Sequence, residues 1–220
     1  MSRVDPALLV IAKQPLPGRV KTRLCPPCTP GQAAALAAAA LQDTLAAISA
    51  VPAGRRVLIF EGNPTGIRPD GFDCLPQRGD GLGERLAGAF AEVGTPALLV
   101  GMDTPQMTAA DLQPGLSALA DPDVDAVIGP TDDGGYWCIG LARPLPGTFT
   151  GVTMSSERTY AEQLTRLHQL GARVRVLGRL RDVDTFADAT HVAAGAPRTR
   201  FARAVAALTQ SVPELAERAA

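Results

Sequence analysis

The sequence predicts an α/β domain whose mainly parallel β-sheet is covered by helices on both faces. Short apolar runs alternate with segments of helical spacing, and the runs are continuous, as in strands buried on both faces. At 220 residues the chain has the length of one such domain. No repeat or long linker divides it, so we expect a single domain over residues 1–220, in which 197–220 form a peripheral helical segment.

Seven segments are predicted to be strands. The first is an unbroken apolar run that follows a polar N-terminus, and the fourth has the same character and ends directly before Asp103. The predicted strands are Leu8–Ala12, Arg56–Phe60, Phe72–Leu75, Ala97–Met102, Asp125–Gly129, Tyr136–Leu141 and Val174–Leu177.

The segments between the strands carry helix signals. Gln32–Ala50 is rich in alanine, and its leucines recur near helical spacing. Leu82–Val93 is predicted to be a helix that glycines open, and two short helices are expected to close the chain.

Helix caps mark the starts of two further helices. Thr108 is expected to cap a helix that ends near Leu119, because Asp111 stands at the capping-box position. Ser155 or Ser156 is expected to cap a helix that runs to about residue 170.

Composition excludes several classes of protein. The formal net charge is −1, so no basic field indicates a nucleic-acid partner. No apolar run approaches the ~20 residues needed to span a bilayer, and the N-terminus lacks the apolar stretch of a signal peptide. We therefore expect a cytoplasmic protein that binds neither nucleic acid nor membrane. The oligomeric state is not fixed by the sequence, and a homodimer stays open.

The cysteines favour neither a zinc site nor a redox pair. Cys25 and Cys28 have CxxC spacing, but the remaining cysteines, Cys74 and Cys138, do not form the second close pair that zinc sites use. The segment after Cys28 is not the start of a helix, where a reactive thiol would be expected. We interpret all four as reduced thiols without a functional role.

The loop after the first predicted strand is the main candidate for phosphate binding. Ligands of open α/β sheets bind beyond the carboxyl ends of the strands. This loop carries Lys13, Arg19, Lys21 and Arg23, and the chain's 21 basic residues include only these two lysines. A lysine is a compact charge on a flexible stem that can reach a phosphate oxygen. The alternative is a solvated charged loop.

Acidic residues follow three later strands. Asp103 could bind Mg²⁺, which commonly takes one or two protein carboxylates, or could organise a turn. Asp133 could serve the acceptor or the metal, and Asp132 is the weaker candidate for that role. Both precede Gly134 and Gly135 in a segment that suits a ligand loop or a simple hairpin.

The last two candidate site segments are an acidic pair near the C-terminal end and a glycine-rich loop. Asp182 and Asp184 lie on one face of an extended segment, so either could complete a metal site. The alternative is that Asp184-Thr185 caps the next helix. The segment from Gln77 to Leu86 contains three glycines whose amides could contact a base or ribose.

In this order the motifs PGRVKTRL, GDGLGERL, GMDTP, GPTDDGGYW and DVDT resemble those of the rSAM/selenodomain-associated transferase family, within the GT-A superfamily of nucleotide-diphospho-sugar transferases. The resemblance covers about Leu8 to Asp188 and extends to molybdenum cofactor and phospholactate guanylyltransferases. It implies a three-layer α/β/α sandwich with a mixed, mainly parallel sheet of about seven strands. The chain departs from the family pattern at Met154-Ser155, on the expected acceptor side.

The resemblance also implies roles for individual residues. It places Lys21, Arg23 and Asp103 at the reacting phosphates, with Asp103 and Asp184 as ligands of Mg²⁺ or Mn²⁺. Asp133, Gly134 and Gly135 fall on the acceptor side. The residues expected to bind the nucleotide are Gly18, Gln77, Gly81 and Gly83 from the resemblance, and Lys13 from the charge of the first loop.

Two reactions and one non-catalytic role are compatible with these features. The favoured reaction is nucleotidyl transfer from a nucleoside triphosphate to a small anionic acceptor, with release of pyrophosphate. An anionic acceptor needs no general base, which agrees with a chain that has only two histidines. The alternatives are glycosyl transfer from a nucleotide-diphospho-sugar, and a nucleotide-binding module without turnover.

Overall fold

A computed structural model describes residues 5–211 and shows a seven-stranded mixed sheet with six α-helices. The strands are β1 Ala7–Lys13, β2 Arg56–Glu61, β3 Asp73–Pro76, β4 Ala97–Val100, β5 Ala126–Pro130, β6 Tyr136–Leu141 and β7 Val174–Val176. The helices are α1 Pro30–Ser49, α2 Leu82–Val93, α3 Ala109–Leu119, α4 Thr159–Gln169, α5 Phe186–Gly195 and α6 Arg200–Ser211. None of the described helices has the length and hydropathy that would let it cross a bilayer.

The sheet is mainly parallel, as predicted, and one strand is reversed. The spatial order is β3-β2-β1-β4-β6-β5-β7, and β6 runs antiparallel to both β4 and β5. The reversal follows from chain length, because only a hairpin can join two neighbouring strands through the few residues between Pro130 and Tyr136. The Asp-Asp-Gly-Gly segment is therefore a hairpin loop.

Two hydrophobic clusters lie on opposite faces of the sheet and make three layers. Leu8 and Val10 of β1 face the cluster formed with α1 and α3, whereas Leu9 faces the cluster formed with α2 and α4. All three side chains are fully buried. This explains why β1 is continuously apolar, since each face of the strand meets a layer of helices.

The two C-terminal helices pack against the outer side of α1. Phe201 of α6 is buried in a third cluster with residues of α1 and α5. Asp43 of α1 accepts hydrogen bonds from the backbone amides of Arg200 (3.0 Å) and Phe201 (2.8 Å), which satisfies the start of α6. Residues 212–220 of the segment predicted to be peripheral lie outside the described residues.

The predicted caps are right at one helix and wrong at another. Thr108 precedes α3, and its amide donates to Oδ2 of Asp111 at 2.8 Å, as in a capping box. Its hydroxyl donates to the same oxygen at 2.7 Å. Neither Ser155 nor Ser156 is the N-cap of α4, because that helix begins at Thr159, after Arg158. Ser155 instead has a positive φ of 57°, whereas the N-cap of an α-helix typically has extended backbone dihedrals.

A buried carboxylate ties the far edge of the sheet together. Asp125, 5% exposed, accepts from the amide and Nε of Arg173 at 2.9 and 3.0 Å, and from Nε of Arg143 at 2.9 Å. The hydrogen bonds from Arg173 hold the pKa of Asp125 well below its usual range. A lowered pKa stabilises the fold above the unfolded-state pKa of about 3.9, and this contribution is lost as pH falls through the folded-state value.

We expect Asp125→Asn to lower the free energy of unfolding by about 2 kcal/mol at pH 7, because charged hydrogen bonds to two arginines are lost. The difference from wild type should shrink by about 0.7 kcal/mol at pH 3.5. Urea unfolding at both pH values measures it. Asp123→Asn is the matched control, since Asp123 contacts the same Arg173 at 2.7 Å but is 86% exposed. An Asp125→Asn effect that does not change with pH would contradict the lowered pKa of Asp125 in the folded protein.

Candidate active site

A cleft of about 590 Å³ opens at the carboxyl ends of β1 and β4. The chain crosses from β1 to β2 on one side and returns to β4 on the other, so the cleft lies at a topological switch point. Five segments line it: the β1 loop, the end of β4, the β5–β6 hairpin, the segment before α4 and the segment before α5. The lining residues from these segments include Lys13, Lys21, Arg23, Asp103, Thr104, Thr131, Asp133, Gly135, Ser155, Glu157, Asp182 and Asp184.

The ammonium group of Lys21 lies at the centre of the cleft between two carboxylates. Its Nζ is 2.6 Å from Oδ1 of Asp103 and 3.4 Å from Oδ1 of Asp184, and it also donates to the carbonyl oxygen of Val183. Burial alone would lower the pKa of Lys21, but Asp103 and then Asp184 outweigh it and raise the pKa above its ordinary value. Lys21 is therefore charged, and its charge is balanced within the site.

Backbone strain concentrates at this cleft. Among the described residues other than glycine, only Lys21 (φ 47°) and Ser155 (φ 57°) have positive φ. Both line the cleft. Left-handed conformations are unfavourable for side chains with a Cβ, and they persist where the surrounding structure enforces them, often at functional sites.

Arg23 extends the basic side of the cleft towards solvent. Its Nη1 is 2.7 Å from Oδ2 of Asp184, so Lys21 and Arg23 contact different oxygens of one carboxylate. The Arg23 side chain is 69% exposed, which leaves most of its guanidinium donors open to a ligand. Lys13 lies on the same cleft, so both lysines of the chain line this one site.

Three carboxylates converge on the acidic side. One oxygen each from Asp133, Asp182 and Asp184 lies within 4.8 Å of the others. Burial, with Asp133 and then Asp184 as neighbours, raises the pKa of Asp182 to about 7. Asp103, on the other side of Lys21, does not belong to this group, so the predicted ligands Asp103 and Asp184 are bridged by the lysine. Asp182 and Asp184, left as alternatives by the sequence, both join the group.

The local fold holds these carboxylates in place. Oδ1 of Asp133 accepts from the hydroxyl of Thr131 at 2.6 Å and from the amide of Gly135 at 2.8 Å. The amide of Val183 donates to the carbonyl of Asp103 at 2.9 Å. Thr185, not Asp184, caps α5, which leaves the Asp184 carboxylate to face the cleft.

The oxygens of the cleft fit a divalent cation. Carboxylates are the hard ligands that Mg²⁺ and Mn²⁺ prefer. The hydroxyl of Thr104, a residue that is 2% exposed and lines the cleft next to Asp103, has no hydrogen-bond partner among the described residues. Five acidic side chains face three basic ones on the cleft lining, so a polyphosphate could enter this site only with added positive charge.

Four residues implied for nucleotide binding do not line this cleft. Gln77 uses its Nε2 to donate to the carbonyl of Ala12 at 2.7 Å, which links the ends of the β1 and β3 strands. Gly18 forms a turn in the β1 loop with φ of 74°. Gly81 and Gly83 line a neighbouring, mostly apolar cavity of about 900 Å³, which shares Leu82 and Met154 with the cleft.

Gly134 also lies outside the cleft lining but supports its wall. Its φ is 88°, and a Cβ at this position would stand 1.9 Å from the carbonyl oxygen of Glu157. The carbonyl of Gly134 accepts from the amide of Tyr160 at 2.8 Å. The hairpin therefore packs directly on the segment before α4.

The sequence reasoning missed Thr104, Thr131 and the wall formed by Ser155, Ser156 and Glu157. Thr104 could have been found, because it follows Asp103 at the end of a buried strand. The wall formed by Ser155, Ser156 and Glu157 could not have been found, because the positive φ of Ser155 leaves no pattern in the sequence.

Comparison with known proteins identifies the family. Residues 34–156 match the model of a family described as an uncharacterized protein conserved in bacteria, DUF2064. The chain belongs to this family. No curated protein matches the sequence significantly.

Solved structures similar to this chain include proteins named as nucleotidyl or sugar transferases. A provisionally named nucleotide-diphospho-sugar transferase from Desulfovibrio desulfuricans G20 is 26% identical, with a TM-score of 0.85 over 97% of this chain and 98% of that one. Rv0371c of Mycobacterium tuberculosis H37Rv, in complex with manganese, is 20% identical, with a TM-score of 0.54 over 87% of this chain and 98% of that one. CMP:2-keto-3-deoxy-manno-octonic acid synthetase in complex with CTP is 12% identical, with a TM-score of 0.56 over 82% of this chain and 93% of that one. The last two likenesses show the fold alone.

We expect Lys21→Met to raise the affinity for Mn²⁺ in the absence of nucleotide by roughly tenfold, because the ammonium repels a cation placed between these carboxylates. Titration monitored by the electron paramagnetic resonance signal of free Mn²⁺ measures this. Lys13→Met is the control, since Lys13 lines the cleft but forms no ion pair with any described residue. Weaker Mn²⁺ binding by folded Lys21→Met would place the metal elsewhere.

We expect Gly134→Ala to destabilise the protein by more than 2 kcal/mol, because its Cβ would collide with the backbone of Glu157 in addition to the strain of positive φ. Gly151→Ala is the matched control, since Gly151 has φ of 77° and open space around its Cα. It should cost only the conformational strain, about 1 kcal/mol. Chemical denaturation of both variants makes the comparison, and equal losses would show that the contact with Glu157 is not tight.

Proposed function

We propose that this single-domain protein is a divalent-metal-dependent nucleotidyltransferase. It transfers a nucleotidyl group from a nucleoside triphosphate to a small anionic acceptor and releases pyrophosphate. The observation that carries the proposal is the arrangement of Lys21 between Asp103 and Asp184 at the switch point of the sheet. The motif resemblance to rSAM/selenodomain-associated transferases supports it, as does the fold shared with a CTP-bound synthetase.

Lys21 and Arg23 provide the positive charge that the reaction needs. Both contact carboxylates now and can exchange them for phosphate oxygens without moving far, because each is held at the cleft by its backbone segment. Charge develops on the pyrophosphate leaving group as the bond to the α-phosphorus breaks, and fixed cations stabilise that charge. Lys13, further along the lining, adds a third cation for the nucleotide.

The bond changes are those of a simple substitution at phosphorus. An anionic oxygen of the acceptor forms a bond to the α-phosphorus, and the bridging bond to the β-phosphate breaks with its electron pair on pyrophosphate. Asp133, with Gly134 and Gly135 behind it, and the wall that includes Ser155 and Glu157 border the acceptor side. No residue has to remove a proton, because the acceptor is already ionised.

Asp103 and Asp184 are the proposed metal ligands, with Asp182 and Asp133 close enough to share in the site. Bound Mg²⁺ or Mn²⁺ would neutralise phosphate charge and polarise the α-phosphate. The unpartnered hydroxyl of Thr104 adds a donor or acceptor beside Asp103 for a ligand or a metal-bound water.

Glycosyl transfer is the second candidate. The likeness to the nucleotide-diphospho-sugar transferase of Desulfovibrio desulfuricans G20, over nearly the whole of both chains, favours it. The same cleft would then hold a diphosphate leaving group. Two lysines and an arginine on one lining favour the larger charge of a triphosphate.

We expect wild-type protein to release pyrophosphate from one of the four common ribonucleoside triphosphates in the presence of Mn²⁺ and a panel of phosphorylated and carboxylated acceptors. Asp103→Asn should lower kcat/KM at least 100-fold through loss of metal and lysine contacts. Asp73→Asn is the control, because Asp73 pairs with Arg55 on the exposed surface outside the cleft. A coupled pyrophosphate assay gives the rates.

Two outcomes would contradict parts of the proposal. Undiminished turnover in Asp103→Asn, or in excess chelator, would remove the metal from the mechanism. Release of a nucleoside diphosphate from nucleotide-sugars, without pyrophosphate from any triphosphate, would establish the glycosyl alternative.

A further inference from the structure

Arg181 lies between the two acidic segments and has no part in the mechanism above. Its Nε lies 3.0 Å from Oδ2 of Asp132, an ion pair without the alignment of a hydrogen bond. Its Nη1 lies 3.4 Å from Oδ1 of Asp188, in the first turn of α5. Asp132 neighbours Asp133 in the hairpin, and Arg181 neighbours Asp182. One ion pair therefore joins the backbones that carry the converging carboxylates.

Further contacts hold the same junction. The amide of Leu180 donates to the carbonyl of Pro130 at 3.2 Å, and Leu180 forms an isolated parallel bridge with Thr131. The side chain of Gln106 donates to the carbonyl of Arg181. The two backbone contacts of Leu180 align the hairpin with this segment up to position 180, and the Arg181 side chain makes the next connection between them.

We propose that Arg181 is a positioning residue that sets the spacing of Asp133 from Asp182 and Asp184 for the divalent cation. This inference rests on the metal site of the proposed function. Without Arg181, the hairpin and the segment before α5 carry neighbouring carboxylates that repel each other, and nothing else among the described contacts joins Asp132 to the 181–184 segment. The carboxylates separate, and the cation loses ligands.

A role of Arg181 through its charge and a role through its positioning contact predict opposite changes in cation affinity when the side chain is removed. Removal of a positive side chain near a cation site should strengthen cation binding if charge alone acts. Loss of the positioning contact should weaken it, and outer contacts of metal ligands typically contribute 10–100-fold to affinity. The sign of the change in Mn²⁺ affinity therefore distinguishes the two.

The experiment is Mn²⁺ titration, followed by electron paramagnetic resonance, of wild type, Arg181→Ala, Asp132→Asn and the double variant. We expect Arg181→Ala to weaken binding about tenfold and Asp132→Asn to weaken it as well. The double variant should be no more than about twofold worse than Arg181→Ala, because both changes break one contact. Arg181→Lys, which keeps the charge without the fork, should recover part of the affinity.

Controls separate this result from general damage. Urea unfolding of each variant establishes that the titrated protein is folded. If Arg181→Ala is not folded, the Mn²⁺ affinity of Arg181→Lys is compared with that of wild type, and weaker binding supports the positioning role. Arg143→Ala removes an arginine that pairs with Asp125 outside the cleft and should leave Mn²⁺ binding unchanged. Equal or tighter binding by folded Arg181→Ala, or losses that multiply in the double variant, would overturn the proposal.

The outcome is separable from that of the proposed function. Wild type that binds Mn²⁺ but releases no pyrophosphate from any triphosphate would refute nucleotidyl transfer and leave the role of Arg181 intact. Nucleotidyl transfer by wild type, combined with unchanged Mn²⁺ affinity in Arg181→Ala, would support the proposed function and refute the role of Arg181. Failure of wild type to bind Mn²⁺ would refute both.

Discussion

The cleft depends on the balanced charge of Lys21. Its side chain is only 10% exposed, so the ammonium is stable there only because Asp103 and Asp184 face it. These three residues come from the β1 loop, the end of β4 and the segment before α5. The pairing therefore connects an early, a central and a late segment of the chain at one edge of the sheet, where Lys21 has a left-handed backbone conformation.

The topology of the sheet makes this pairing available. β1 and β4 are adjacent and parallel, so the residues that follow them, including Lys21 and Asp103, leave the sheet at the same edge. The reversed β6 strand adds the hairpin that carries Asp133 to that edge. A fully parallel sheet would need a long crossover between β5 and β6, and it would not place a short acidic loop against the other carboxylates.

Local patterns in the sequence predicted the elements, and long-range contacts decided what they do. The continuous apolar run of β1 and the Thr108–Asp111 box are set by neighbours within a few residues, and both predictions are confirmed. The predicted start of α4 was wrong: the helix begins at Thr159. Before it, Glu157 packs on Gly134 of the hairpin and Ser155 has positive φ, and local propensity indicates neither feature. In the same way, Gly81 and Gly83 face the apolar cavity because of how α2 packs against the segment before α4.

The sharing of Asp184 has a consequence for how ligands enter. Lys21, Arg23 and the acidic group all use this carboxylate, so a cation that binds it competes with two basic side chains. A polyphosphate offers those side chains new partners and thereby frees Asp184 for the cation. Under the proposed function, metal and polyphosphate therefore strengthen each other's binding, and the coupling is reciprocal by thermodynamic necessity. The ion pairs of the cleft thus favour a metal–nucleotide complex over either component alone.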